Sequence, residues 1–359
     1  MDPLDELAEA LREKLIERAR AGEEADVATL VEAETGALSE AEREEVRARV
    51  VRLATGLGPL EALLADPAVD EVMVNGAGTV WVERAGRIEA TGVRFDDEAG
   101  LMHAIERVLA PLGRRVDEAS PLCDARLADG SRVNVVIPPL AVDGPCLTIR
   151  RFRARGFGLG DLVANGTMPA QLAELLAGCV RSRLTILVSG GTGSGKTTTL
   201  NALSGAIGAE ERVVTIEDAA ELALRQPHVV RLEARPPNLE GRGEVTIRAL
   251  VKNALRMRPD RIVMGEVRGA EALDLLLALN TGHEGSLSTV HANSAPEALR
   301  RVETLALMAG LGLPHEAVRE QVAGAFDLVV HQARRPGGGR RIESVAAVAG
   351  GGVREVYRA

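Results

Sequence analysis

The sequence predicts an α/β chain: a parallel sheet with crossover helices in its second half, preceded by a small α+β domain and a helical N-terminal extension. Three observations carry this reading. From about Met168 onward, short apolar runs alternate with stretches of helical period. Between residues 55 and 150, short strand-like runs are joined by Gly-containing turns. Residues 1–54 hold 15 acidic and 8 basic side chains, a net of −7 against −2 for the rest, so the acidity of the chain belongs to its first segment.

Across 359 residues, 46% are hydrophobic and 26% charged, a globular balance that excludes wholesale disorder. Aromatic residues are only 2%, so the core must be built from Leu, Val, Ile and Ala, and there is no aromatic platform for single-stranded nucleic acid. The net charge of −9 has the wrong sign for a surface that holds duplex phosphates. Cys123, Cys146 and Cys179 are scattered and lack CxxC spacing. They make neither a disulfide framework nor a zinc site, and suit a reduced compartment. The start, Met1 to Glu6, is acidic and has no apolar h-region, so no signal peptide is read there. No apolar run approaches the roughly 20 residues that span a bilayer, and a soluble chain is expected.

In the extension, residues 1–54, Leu4, Leu7, Leu11, Leu15 and Ile16 recur at helical spacing. Ser39 and Glu42 form a capping box before a second helix carrying Val46, Val50 and Val51. The α+β domain, residues 55–150, opens with strands at Glu71–Asn75 and Thr79–Glu83 around Gly76-Ala77-Gly78. A helix follows over Asp97–Ala110, then strands at Ala125–Leu127 and Arg132–Ile137 about the turn Asp129-Gly130. A last strand lies at Leu147–Arg151, and the basic, Gly-containing stretch 151–160 reads as a linker. In residues 161–359, buried-type strands are read at Leu184–Val188, Arg212–Ile216 and Arg261–Met264 with helices between. Arg334 to Arg341, with Pro336-Gly337-Gly338-Gly339, reads as a loop followed by weak strand signals to Val356.

Gly190, Gly191, Thr192, Gly193, Ser194, Gly195, Lys196 and Thr197 match G-x-x-x-x-G-K-[ST], after a predicted strand and at the start of a helix that also holds Thr198. Glycines let the backbone curl so that N–H groups face phosphate oxygens, and the helix N-terminus favours the anion. Lys196 then reaches the β and γ phosphates of ATP, and the Thr197 hydroxyl ligates Mg²⁺. The chain uses Arg 40 times and Lys 3 times, yet Lys stands here, where a compact point charge is needed.

Three further clusters narrow the chemistry. Ile262-Val263-Met264-Gly265-Glu266 is an apolar strand ending in an acid, with Gly265 where an aspartate is usual. On the ligand rim of a parallel sheet, Glu266 would ligate Mg²⁺ through water or polarise the attacking water. Thr215 to Leu222 places Glu217 and Asp218 after another strand. One is expected to face the metal and one the backbone, with Glu217 preferred for the metal. Thr281 to Asn293 holds His283 and His291, candidates to sense or neutralise the γ-phosphate. Phosphoryl transfer also calls on arginines, here Arg126, Arg132 and Arg150 in the first domain, and Arg256, Arg258 and Arg268 in the second.

In this order the boxes resemble those of the type II/type IV secretion ATPase superfamily, closest to the Tad/Flp pilus-assembly ATPases of the CpaF or TadA type. Gly190–Thr197 looks like its Walker A, Thr215–Leu222 its Asp box, Ile262–Arg268 its Walker B variant and Thr281–Asn293 its His box. Gly58-Pro59-Leu60-Glu61, Val74-Asn75-Gly76, Asp124–Asn134 and Ile137–Leu140 are similar to its N-terminal domain. The resemblance covers about residues 56–350. It implies a RecA-like ATPase domain joined by a linker to a PAS-like domain, and a homohexameric ring with ATP between the two domains. It also implies that Glu266 is the catalytic acid and that Arg126 and Arg132 are brought to the nucleotide. The family works at the cytoplasmic face of the inner membrane and drives pilus assembly or export through a polytopic platform protein. Two other readings stay open at this point: a nucleic-acid translocase on a RecA-like core, which the acidic charge and scarce aromatics oppose, and a nucleotide-switched scaffold with negligible turnover.

Overall fold

A computed structural model describes residues 3–20, 27–36, 38–55, 57–84, 86–127, 129–152, 157–237, 242–335 and 339–359. The chain divides into two compact units, Met1–Phe152 and Arg153–Ala359. Residues 153–156 of the expected linker and 336–338 of the expected Gly-rich loop lie outside the described residues.

The first unit opens with α1 (Pro3–Arg20), α2 (Val27–Glu34) and α3 (Glu40–Thr55). Three helices stand where two were expected, because the short Val27-Ala28-Thr29-Leu30-Val31 run buries Leu30 and Val31 against Ala8, Leu11, Val46 and Val50. The side chains of Ile16 and Val51 are not among those described. Ser39 and Glu42 close the capping box: the Ser39 N–H donates to Glu42 at 2.9 Å and the Glu42 N–H to Ser39 Oγ at 3.3 Å.

After α4 (Glu61–Ala65) come β1 (Val69–Asn75), β2 (Thr79–Arg84), β3 (Arg87–Ala90), α5 (Glu98–Leu109), β4 (Leu122–Arg126), β5 (Arg132–Val136) and β6 (Cys146–Arg150). They form an antiparallel sheet in the order β3-β2-β1-β6-β5-β4. Alternation sends Val72, Val74, Val80, Val82, Val133, Val135, Leu147 and Ile149 to one face, where Leu101, Ile105 and Val108 of α5 meet them. Each such buried side chain contributes about 1.5–3 kcal/mol. The Asp97 carboxylate starts α5 by accepting the Gly100 N–H at 2.7 Å.

The second unit runs α6 (Leu159–Ala164), α7 (Ala170–Arg181), β7 (Ile186–Gly190), α8 (Lys196–Ser204), β8 (Val213–Glu217), β9 (Val229–Glu233), α9 (Ile247–Ala254) and β10 (Arg261–Val267). It continues with α10 (Glu271–Leu279), β11 (Leu287–His291), α11 (Ala295–Leu307), α12 (His315–Ala325), β12 (Leu328–Arg334), β13 (Arg340–Ala349) and β14 (Gly352–Arg358). The sheet order is β14-β13-β12-β7-β11-β10-β8-β9. Its pairs are parallel from β12 through β9, and β13 and β14 are added antiparallel. Helix α6 begins inside the stretch expected as linker, because Leu159 and Leu162 pack on the core. The C-terminal strand signals were weak because β14 is exposed along most of its length and β13 is fully buried only at Ile342, Val345 and Ala346.

Consecutive strand residues feed opposite faces. Ile186 and Val188 join the core under α6, α7 and α8, while Leu187 joins the one under α9 to α12. That two-sided burial explains why these strands read as continuous apolar runs. At the N-terminal rim the Arg261 side chain is fully buried. Its Nε and Nη2 donate to the two oxygens of Glu211 at 2.6 and 2.8 Å, and its Nη1 donates to the Val180 and Gly285 carbonyls at 3.1 and 2.8 Å. This clamp joins β10 to the end of α7 and to the turns entering β8 and β11. Arg261→Met leaves the buried Glu211 without its main partner and is expected to cost about 3–5 kcal/mol, read as a lowered midpoint in chemical denaturation. A loss under 1 kcal/mol on the order of a surface substitution would show that the clamp is dispensable.

Candidate functional site

Parallel pairing brings the C-terminal ends of β7, β11 and β10 onto one rim. Gly190 of β7 is in register with His291 of β11, and β10 lies on the far side of β11. This is the rim on which open α/β sheets carry ligands. The chain leaves β7 at Gly190 and turns through residues 191–195 into α8. Gly193 and Gly195 have φ of 68° and 93°, and Gly195 caps α8 from the left-handed region. A Cβ on Gly191 or Gly193 would meet nothing within 4 Å, so those positions face open space. Ser194 Oγ is buried without a partner among the described residues. Thr192 is exposed, and Thr197 and Thr198 are half-buried at the start of α8.

Lys196 is only 7% exposed. Its Nζ donates to the Gly191 carbonyl at 3.1 Å and stands 3.3–3.4 Å from the two ring nitrogens of His291. Burial lowers the lysine pKa from its usual value, and Glu266 opposes that shift. His291 Nε2 stands 2.7 Å from Glu266 Oε1. On the other oxygen, Arg268 approaches Glu266 Oε2 with Nη2 at 2.7 Å and Nε at 2.9 Å, while its Nη1 reaches Asp218 at 3.0 Å. Burial lowers the His291 pKa, Glu266 opposes this, and Lys196, Arg268 and Arg301 add to it. The approach of His291 to Glu266 lacks hydrogen-bond geometry, leaving Glu266 Oε1 buried without a hydrogen bond among the described residues, and a neutral ring can accept from Lys196 at a ring nitrogen.

The adjacent acids divide their work in a way the sequence left open. Glu217, expected on the metal side, makes the backbone cap: its Oε1 accepts the N–H groups of Glu221 and Leu222, both at 2.9 Å. Its Oε2 is buried with no partner among the described residues. Burial raises its pKa to about 7 against the pull of those N–H groups. Asp218 is the one tied to Glu266, through Arg268. The glycine in place of the usual aspartate also has a physical cause. A Cβ at Gly265 would lie 2.9 Å from Glu217 Cγ, so the Glu217 side chain occupies that room.

His283 is not brought to this rim. It precedes β11, at the end of that strand opposite His291, and its Nδ1 contacts the Ala278 carbonyl at 2.9 Å. Its nearness in sequence was misleading, because five strand residues at about 3.3 Å each separate the two ends of β11. In the first unit Arg126 pairs with Arg132 and Arg132 with Arg150, a row across β4, β5 and β6. Arg126 Nε also donates to the Gly130 carbonyl at 3.4 Å. Arg256 and Arg258 follow α9 before β10, on the rim away from Gly190. Sequence reasoning missed Gln332 and Arg340, which touch the loop from β12 and β13. The available signal was His331-Gln332, a polar pair breaking an apolar run.

The family described as "Type II/IV secretion system protein" matches residues 53–335. A Mycobacterium tuberculosis protein named for conjugal transfer is 45% identical over 300 residues, covering 82% of this chain and 85% of that one. The type IV secretion system protein PtlH of Bordetella pertussis is 38% identical over 316 residues, covering 79% and 91%. Among solved structures, the Legionella pneumophila ATPase DotB aligns with a TM-score of 0.57 over 79% of this chain and 78% of that one. At 20% identity it speaks for the fold alone.

The Glu217 carboxyl generates a pH-dependent prediction. Its pKa in the fold, about 7, lies above the ordinary 4.5. Its contribution to stability is therefore whole below 4.5 and is lost as pH rises through about 7. Glu217→Gln should raise the melting temperature relative to wild type at about pH 8, by about 2–4 °C per kcal/mol regained, with no gain near pH 5. Equal melting curves across that range would mean the carboxyl is not held in an unfavourable site.

Proposed function

The chain belongs to the Type II/IV secretion system protein family, and on that footing we propose that it is an ATP-hydrolysing motor of a secretion or pilus-assembly system. The observation that carries this is the row Lys196–His291–Glu266–Arg268 beside the phosphate loop, in which Arg268 holds one oxygen of the carboxylate and the other makes no hydrogen bond among the described residues. Its finer form follows the sequence resemblance: a Tad/Flp-type assembly ATPase, active as a homohexamer on a polytopic inner-membrane platform, at the cytoplasmic face. In it the second unit is a RecA-like ATPase domain and the first a PAS-like domain, a reading supported by the antiparallel sheet with α5 on one face. Among the described residues no helix is long and apolar enough to cross a membrane.

In this reading the N–H groups of residues 190–198 and the dipole of α8 hold the phosphates of ATP. Lys196 neutralises charge that builds on the γ oxygens. Glu266 takes the attacking water on Oε1, the oxygen that Arg268 leaves without a hydrogen bond. His291 sits between Lys196 and Glu266 and reports the state of the phosphate to the carboxylate. Arg268 and Asp218 keep Glu266 aligned. Thr197, with Glu266 partly through water, would hold Mg²⁺, which when bound withdraws charge from the phosphate oxygens; the open space beside Gly191 and Gly193 and the Ser194 Oγ without a partner among the described residues suit such a polar occupant. His283, at the other end of β11, lies outside this row.

The test is Mg²⁺-dependent ATP hydrolysis as a function of protein concentration. Specific activity should rise and saturate as the ring assembles. Lys196→Ala should lower ATP affinity and turnover together. Glu266→Gln should keep ATP affinity within about twofold and lose about 10²–10³ in kcat, in the range of other single catalytic groups. Wild-type turnover by Glu266→Gln would remove the assigned role, and ATP binding without any turnover would favour a nucleotide-switched scaffold.

A further inference from the structure

We infer that Arg340 is a positioning residue for the phosphate loop, acting through its Nε–H on the Gly193 carbonyl; the inference rests on the ATP-binding reading above. Strands β12 and β13 form an antiparallel hairpin in which Arg340 is opposite Arg334. From that hairpin the Arg340 side chain returns across 147 residues of sequence to donate from Nε to Gly193 O at 3.1 Å.

The hairpin meets the loop at its entry, apex and exit. At the entry Gln332 is in register with Gly190, and any Cβ on Gly190 would collide with the Gln332 carbonyl. At the apex Arg340 holds Gly193. At the exit, a Cβ on Gly195 would stand 3.0 Å from both Arg340 Cδ and Gln332 Nε2. One turn into α8, Gln332 Oε1 accepts from Thr199 Oγ1 at 2.5 Å. Gln332 is 1% exposed, so this side of the loop is a built wall.

The physical consequence concerns one peptide. The carbonyl of Gly193 and the N–H of Ser194 belong to the same planar unit and point in opposite directions. Holding the carbonyl toward the hairpin turns the Ser194 N–H inward. There it lies 3.3 Å from Gly191 O, the atom that also accepts from Lys196 Nζ at 3.1 Å. That long bond is one a phosphate oxygen would replace. A loop amide binds an anion only when it is turned toward it, and an outward carbonyl needs a donor of its own. Arg340 supplies that donor.

Three substitutions separate this role from others. Gln carries Nε2 at the same number of bonds from Cβ as arginine Nε, so Arg340→Gln keeps the donor and loses the charge. Arg340→Lys keeps the charge and moves the donor. Arg340→Ala loses both. Binding of ATP to the full-length chain by calorimetry and steady-state hydrolysis should show Ala about tenfold weaker in Kd and KM with kcat within about twofold, Lys close to Ala, and Gln close to wild type. Melting temperatures should not rank the variants in that order. Lys close to wild type with Gln as weak as Ala would mean that the charge contacts phosphate directly, and would overturn the positioning role. So would unchanged affinity in all three. Failure of the wild-type chain itself to bind ATP would remove the ATP-binding reading along with the inference, whereas normal wild-type binding with unaffected variants removes the inference alone.

Discussion

Strand β7 is hydrogen-bonded in parallel to β11 on one side and to β12 on the other, and the register of those two ladders decides what the rim of the second unit can do. Gly190 ends β7 opposite His291 on β11 and opposite Gln332 on β12. A slip of one residue would turn His291 to the other face of the sheet and separate it from Lys196. The two apolar cores, fed by alternate residues of the same strands, hold that register: Leu187 faces one and Ile186 and Val188 the other. The site geometry is thus a by-product of how apolar side chains are shared between two layers of helices.

Charge at the rim is arranged as an alternation. Lys196, His291, Glu266, Arg268 and Asp218 follow one another with gaps of 2.7 to 3.4 Å. The two carboxylates are each beside a cation, and the imidazole lies between a cation and an anion. Burial disfavours charge on Lys196 and on His291 alike, and Glu266 is the group that opposes the shift at both. Glu266 thus offsets part of what burial takes from both groups, which fits a carboxylate whose contacts must be exchanged during a reaction cycle.

The opposite rim has the opposite design. Arg261 is buried with every donor nitrogen bonded, to Glu211 and to two carbonyls. The clamp joins elements that the sequence keeps far apart. One end of the sheet is closed by a satisfied ion pair, while the other end carries half-exposed His291 and the open loop.

Local signals were enough for the phosphate loop. Its glycines, Lys196 and Thr197 are consecutive, and their role follows from backbone conformation that the sequence itself dictates. The apolar runs of β7, β8 and β10 and the Ser39–Glu42 cap were legible for the same reason, since each is set by neighbours a few residues away. What depended on chains of distant contacts was not. The nearness of His283 to His291 in sequence hid that β11 carries them to opposite ends. The choice between Glu217 and Asp218 needed the positions of the Glu221 and Leu222 N–H groups and of Arg268. The meaning of Gly265 needed the Glu217 side chain beside it, and Gln332 and Arg340 became part of the site only when a hairpin more than a hundred residues later paired against β7. Sequence determines which groups a loop offers; which of them meet is decided by strand register and by who fills the space between, and both are properties of the packed whole.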